Sequence, residues 1–366
     1  MDKDMPKLGF GAMRLPYKGS ESNIDLDHVK KMVDLFLDSG FKYFDTAYVY
    51  HNGKSEIALK DTLVKRHPRG SYWIATKMPM WSVRKAEDLD RIFNDQLKKL
   101  GVDYIDYYLL HAMDSGREDT AIKTKAYEFA ERIKREGKAR FVGFSFHDSA
   151  DVLERILKDH PRVDFVQLQI NYSDVKEGSA GKLYDLAIKH NKPIIIMEPV
   201  KGGSLAKLDK DAEAVLKAAR PNDSMASWAL RYCASLAGVY TTLSGMSNLQ
   251  QVEDNIKTFK NFEPLTKAEE ELIDRALRAG KGPAVPCTAC RYCLETCPKD
   301  IAIPDVFAVY NQFKRSDDRE AAVSAYEAIP EGRRAWDCIT CGACVEHCPQ
   351  GIKIPEELAE AAKIFA

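Results

Sequence analysis

Eight short apolar runs recur between residues 8 and 245, each followed by a stretch with helical periodicity. They are LGFGAM (8–13), FKYFDTA (41–47), SYWIATK (71–77), YIDYYLLH (104–111), ARFVGFS (139–145), DFVQLQIN (164–171), KPIIIM (192–197) and GVYTTLSG (238–245). Near-continuous apolar strands suit a parallel sheet buried on both faces. Amphipathic stretches such as LDHVKKMVDLFLDSG and AEDLDRIFNDQLKKLG fill the gaps, and Gly40, Gly101 and Gly137 stand where helices should stop. Eight strand–helix units in about 250 residues predict an α/β fold, a (β/α)8 barrel. A doubly wound sheet is the competitor, but GFGAMR lacks the G-x-G-x-x-G turn that such a sheet uses for a dinucleotide.

The remainder of the 366 residues predicts three parts: a barrel over 1–260, a helical linker over 261–285 and a small domain over 286–366. The net charge of −1 offers nucleic acid no electrostatic footprint. No run approaches the roughly 18–20 apolar residues of a membrane span. The opening residues lack an apolar signal region, so a cytoplasmic location is expected.

Several strands end on a polar or ionisable residue: Asp45, Lys77, His111, Ser145, Gln167, Glu198 and Ser244. In a barrel these ends share one mouth, where active sites form. FDTAYVYHNGKSE adds Tyr50 five residues beyond Asp45. Hydride addition to a carbonyl creates negative charge on oxygen, so a proton donor is needed there. A phenol is a poor acid at neutral pH unless a cation stabilises its phenolate. Tyr50 is thus the expected acid, Lys77 its electrostatic partner, Asp45 the counter-ion of Lys77, and His111 the orienting group for the carbonyl. Each residue alone has a plainer reading, as packing tyrosine, rim lysine or core histidine.

This Asp–Tyr–Lys–His set, one residue per expected place, resembles the aldo-keto reductase family over about residues 8–260. The resemblance implies reversible NAD(P)H-dependent reduction of an aldehyde or ketone to an alcohol. It also implies a cofactor lying across the mouth. Ser145 and Gln167 match positions holding the nicotinamide carboxamide. Met197 stands where many members have a stacking tyrosine, and Phe146 where an asparagine is usual. Glu198 opens the next loop. LSGMSNLQQVEDNIKTF matches the adenosine side, with Asn255 at the adenine position and Asp254 beside it. Ser244, Gly245, Ser247, Asn248 and Gln251 stand there in place of the cations that meet a 2′-phosphate, so tolerance of NADH is expected. Trp81 reads equally as pocket lining or core.

Eight of nine cysteines fall in two blocks, CTACRYCLETCP (287–298) and CITCGACVEHCP (338–349), both C-x2-C-x2-C-x3-C-P. Zinc sites commonly use two separated pairs, and an oxidised scaffold would spread its cysteines. The pattern resembles two-[4Fe–4S] ferredoxins. That resemblance implies a ferredoxin-like tail with a helical insertion. One cluster falls on Cys287, Cys290, Cys293 and Cys348, the other on Cys338, Cys341, Cys344 and Cys297. Such a tail implies electron exchange with a redox protein partner or a second acceptor. Flavin is an open possibility without a motif. The competing expectation is a nucleotide-binding redox sensor or electron-transfer subunit with little reductase activity.

Overall fold

Eight parallel strands pair in sequence order, and the last closes on the first. The computed structural model describes residues 5–260, 262–280, 284–316 and 318–365. The strands are β1 (Leu8–Gly11), β2 (Tyr43–Asp45), β3 (Trp73–Pro79), β4 (Ile105–Met113), β5 (Ala139–Phe146), β6 (Phe165–Gln169), β7 (Ile194–Met197) and β8 (Val239–Gly245). All eight apolar runs therefore became strands of the expected barrel. Helices such as Leu26–Asp38, Ala86–Leu100 and Ala150–Asp159 stand between them. Gly101 ends one of these in the left-handed conformation (φ 70°), and its N–H reaches the Leu97 carbonyl at 2.8 Å.

Inside the barrel Tyr43, Ala75, Tyr107, Leu109, Phe165, Ile195 and Leu243 form one buried cluster, with Met5 against it. The rings meet edge to face: Tyr43 lies 5.0 Å and Phe165 5.7 Å from Tyr107. Such large rings require small neighbours. A Cβ on Gly9 would approach Leu243 Cδ2 to 2.8 Å and Tyr43 Cδ1 to 3.1 Å. The glycines are thus part of the packing that sets the strand register.

The described residues divide into two compact units: residues 1–199 with 227–266, and residues 200–226 with 267–366. The first holds the whole sheet. In the second, the helix Lys210–Ala219 packs on the helix Lys267–Ala279, and Arg220 pairs with Glu269 at 2.5 Å. Gly202, with φ 65°, lies flush against the Thr288 backbone, where no β-carbon fits. The expected linker 261–285 contributes the helix Lys267–Ala279; Asn261, Lys281, Gly282 and Pro283 of that segment lie outside the described residues.

The rest of the second unit corrects the expectation of a ferredoxin-like tail. Beyond residue 286 it holds the helices Ile303–Ser316, Arg319–Glu327 and Ile354–Phe365, and among the described residues no strand. The physical reason is backbone conformation. Ala289, Arg291, Thr340 and Gly342 within the cysteine blocks, and Asp300 and Gly351 just after them, all have positive φ, which interrupts any extended run there. Val306, Phe307, Tyr326, Leu358 and Phe365 give this part its own apolar core, and Tyr326 stacks on Phe365 at 4.4 Å. No described helix is long and apolar enough to cross a membrane.

Candidate active site

Lys77, near the end of β3, is fully buried, and so is nearly all of Asp45 at the end of β2. The Lys77 ammonium spends its donors on three oxygens: Asp45 Oδ1 at 2.5 Å, the Thr46 carbonyl at 2.8 Å and the Tyr50 hydroxyl at 3.3 Å. Donation to the phenol occupies an oxygen lone pair and not the phenolic hydrogen. The second carboxylate oxygen of Asp45 is buried without a hydrogen-bond partner. Burial pushes Asp45 up and Lys77 down, each opposed by the charge of the other.

Tyr50 is held there by its own loop. His51 and Asn52 take left-handed backbone conformations, with φ 53° each. His51 Nε2 accepts from the Leu15 N–H at 3.1 Å, and Nδ1 lies 3.1 Å from the Glu21 carbonyl, so the network selects the Nδ1–H tautomer. Thr46 donates to Ser55 at 2.8 Å, and Ser55 donates to the Ala12 carbonyl at 3.0 Å. These bonds tie the segment 46–55 to the turn after β1.

His111, on β4, is 2% exposed. Its ring lies 5.9 Å from that of Tyr50 and 5.0 Å from that of Trp81. Burial, with Lys77, His147 and Arg117 nearby, holds it well below the ordinary imidazole range. It is therefore a neutral imidazole at neutral pH. The structure thus gathers Asp45, Tyr50, Lys77 and His111, with Trp81 beside them.

Ser145 Oγ, on β5, accepts the Ala112 N–H at 2.8 Å. Gln167, on β6, is 2% exposed; its amide nitrogen lies 3.5 Å from Met197 Sδ, and its amide oxygen is buried without a partner. Such an orphaned acceptor suits an amide donor on a ligand, which is what a nicotinamide carboxamide carries. The residues present therefore fit a nicotinamide cofactor.

Glu198 has φ 53° and bonds Arg14 Nη2 at 3.0 Å. After β8, Ser247 Oγ donates to the Arg14 carbonyl at 2.8 Å and the Ser247 N–H to Gln251 Oε1 at 2.7 Å. Asn248 caps the following helix through the Gln251 N–H at 2.9 Å. Asn255, 4% exposed, donates to Ser244 Oγ at 2.8 Å, and Asp254 gives its carbonyl to Thr258. Gly245 lies under the stem of Arg14, which a β-carbon would approach to 2.9 Å. Arg14 and Glu56 were not singled out from the sequence. The only signal for Glu56 was its place six residues after Tyr50.

The thiols of the second unit require a correction. Cys297, Cys338, Cys341 and Cys344 line one pocket, and Cys290, Cys287, Cys348 and Cys344 act electrostatically on the buried Cys293. Among the described residues, however, no group of three or more Cys, His, Asp or Glu side chains is arranged to hold a metal ion. The expectation of two [4Fe–4S] clusters is corrected on that finding, and the electron-transfer role resting on them goes with it.

Two family models match successive stretches of the chain. The model described as the aldo/keto reductase family matches residues 7–278. A second, described as a 4Fe-4S dicluster domain, matches residues 286–352, the segment whose thiols do not fit a metal ion. An uncharacterized oxidoreductase, YqkF, of Bacillus subtilis is 25% identical over 300 residues, covering 73% of this chain and 91% of its own. The L-galactose dehydrogenase of Arabidopsis thaliana is 25% identical over 254 residues, covering 64% and 79%. Among solved structures, the aldo-keto reductase AKR11C1 of Bacillus halodurans superposes with a TM-score of 0.60 at 25% identity, over 74% of this chain and 91% of its own. An aldo-keto reductase of Klebsiella pneumoniae, solved with NADPH, shares the fold with a TM-score of 0.62 at 19% identity, over 74% and 90%.

Proposed function

The chain belongs to the aldo/keto reductase family, and from that premise we propose that it reduces an aldehyde or ketone to an alcohol with NAD(P)H, reversibly. The observation that carries the reading is the buried Asp45–Lys77 pair with its ammonium 3.3 Å from the Tyr50 hydroxyl. A bound nicotinamide supplies the hydride. Gln167 and Ser145 would hold its carboxamide, and Met197 would offer the ring a polarizable, non-aromatic surface. The segment from Ser244 to Asn255 would take the adenosine end, and Glu198 the stretch between.

The protein's own work is at the carbonyl oxygen. Tyr50 gives it the proton as negative charge grows there. Lys77 stabilises the phenolate left behind, because an ammonium in a dry site is a strong electrostatic partner. Asp45 keeps Lys77 charged and in place. His111, neutral, hydrogen-bonds the carbonyl oxygen and orients it. In oxidation the same groups run in reverse, with Tyr50 receiving the alcohol proton.

Consumption of NADH or NADPH across a panel of aldehydes and ketones tests the proposal. No turnover with any carbonyl would contradict it. A narrower expectation concerns the cofactor seat. Replacing Gln167 by Leu removes the orphaned acceptor and should weaken NAD(P)H binding about tenfold, the worth of a well-placed hydrogen bond in a dry site. Titration of nucleotide fluorescence on the substrate-free protein checks it; an unaltered Kd would remove Gln167 from the cofactor seat.

A further inference from the structure

Glu56 is a fully buried carboxyl that the chemistry above does not use. It sits on the helix Ser55–Leu59, directly after the loop that carries Tyr50. Its Oε1 accepts from Thr76 Oγ1 at 2.6 Å and from Gln96 Nε2 at 3.2 Å. The same Gln96 nitrogen donates to the Lys77 backbone carbonyl at 2.9 Å, and Gln96 Oε1 accepts from the Tyr108 hydroxyl at 2.7 Å. The network therefore runs from the Tyr50 loop through β3 to the helix Ala86–Leu100 and on to β4. Every bond in it is buried.

One end of the network is left incomplete. Glu56 Oε2 is buried with no hydrogen-bond partner. An ionised carboxylate there would hold charge on a bare oxygen, which burial penalises heavily. Burial accordingly pushes the carboxyl up to about 7, against the opposing effect of the Thr76 and Gln96 bonds. The groups facing it are few. On β3 they are Thr76 and Lys77; on β4, Tyr108. On the helix Ala86–Leu100 they are Gln96, Lys99 and Asp95, and the last two form an ion pair of 3.1 Å whose effects on Glu56 oppose each other. Lys77 is thus the one buried cation in that set. The charge of Glu56 in turn acts on Lys77, alongside Asp45.

We propose, on the basis of the reductase reading, that Glu56 is a positioning residue whose proton sets how strongly Lys77 supports a phenolate at Tyr50. With Glu56 protonated, Asp45 is the only anion balancing Lys77, and the ammonium acts fully on the phenol. With Glu56 ionised, two anions share one ammonium, and a phenolate becomes a third. Protonation of Glu56 therefore favours carbonyl reduction. The residue acts through Lys77 and touches no reacting atom.

The test is the pH profile of single-turnover carbonyl reduction in the wild type and in Glu56→Gln, which fixes the neutral state. The wild-type rate should fall about tenfold between about pH 6 and about pH 8, the effect of one unit of altered proton affinity at the pair. Glu56→Gln should lose that limb, and Glu56→Asp should restore it. A purely structural role would lower the rate equally at every pH. An activity-free readout accompanies it: carbon-13 NMR of the whole protein labelled at glutamate carboxyls. One resonance should titrate near 7, and vanish in Glu56→Gln. Should the variant fail to fold, the wild-type titration alone decides, since a protein whose glutamates all titrate in the ordinary range overturns the proposal. Turnover with an unchanged profile in Glu56→Gln would remove the role of Glu56 and leave the reductase reading standing. Absence of turnover with any carbonyl would remove both.

Discussion

Tyr50→Phe should lower the rate of carbonyl reduction about 10²–10⁴-fold while leaving nucleotide affinity within about twofold. The size follows from what is deleted. Phenylalanine keeps the ring, and with it the packing against His111 at 5.9 Å. Only the hydroxyl that Lys77 reaches at 3.3 Å is lost. The growing charge on the substrate oxygen then has His111 alone as a donor, and a neutral imidazole transfers no proton readily. Steady-state rates on aldehydes, paired with fluorescence titration of the nucleotide, check both halves. A variant that keeps its rate would exclude Tyr50 as the proton donor.

The second large effect is on stability. Asp45→Ala leaves the Lys77 ammonium with no exposed surface and no anion in contact, since Asp45 Oδ1 is its carboxylate partner at 2.5 Å. Stranding one member of a buried ion pair costs about 3–5 kcal/mol, mostly the desolvation of the charge left behind. The unfolding midpoint in urea should drop accordingly. The double variant Asp45→Ala with Lys77→Met should regain much of the loss, because no charge remains to be buried. Its stability separates two descriptions of the pair. A double variant as unstable as the single one would mean that Asp45 acts by packing and not by charge.

The barrel was legible because parallel strands buried on both faces read as short apolar runs, and all eight runs became strands. The boundaries moved where backbone geometry intervened. The first run was cut at Gly11 by the 3-10 turn Ala12–Arg14, and the fourth ran on to Met113. Asp45, Lys77 and His111 were legible for the same reason, since each lies at or within two residues of a strand end. Glu56 was not. In KSEIALK it has the look of an exposed helical charge, and only the approach of Gln96 and Thr76 from distant elements buries it. Arg14 escaped notice likewise, because its partner Glu198 lies 184 residues away. The tail was misread for a different reason. Cysteine spacing is a local pattern, and it says nothing of the positive φ at Ala289, Arg291 and Thr340 that precludes strands there. Nor did any local pattern reveal that residues 200–226 pack with the C-terminal helices, which depends on contacts such as Gly202 against Thr288.

The most direct test of the phenol–ammonium pair is a double-mutant cycle on the single-turnover rate, built from Tyr50→Phe, Lys77→Met and their combination. If the two side chains form one device, the combined variant should be no slower than the slower single variant, because either substitution already disables the proton transfer. Rate losses that multiply independently would mean that the amine and the hydroxyl serve separate ends, and proton delivery by a lysine-supported Tyr50 would be ruled out.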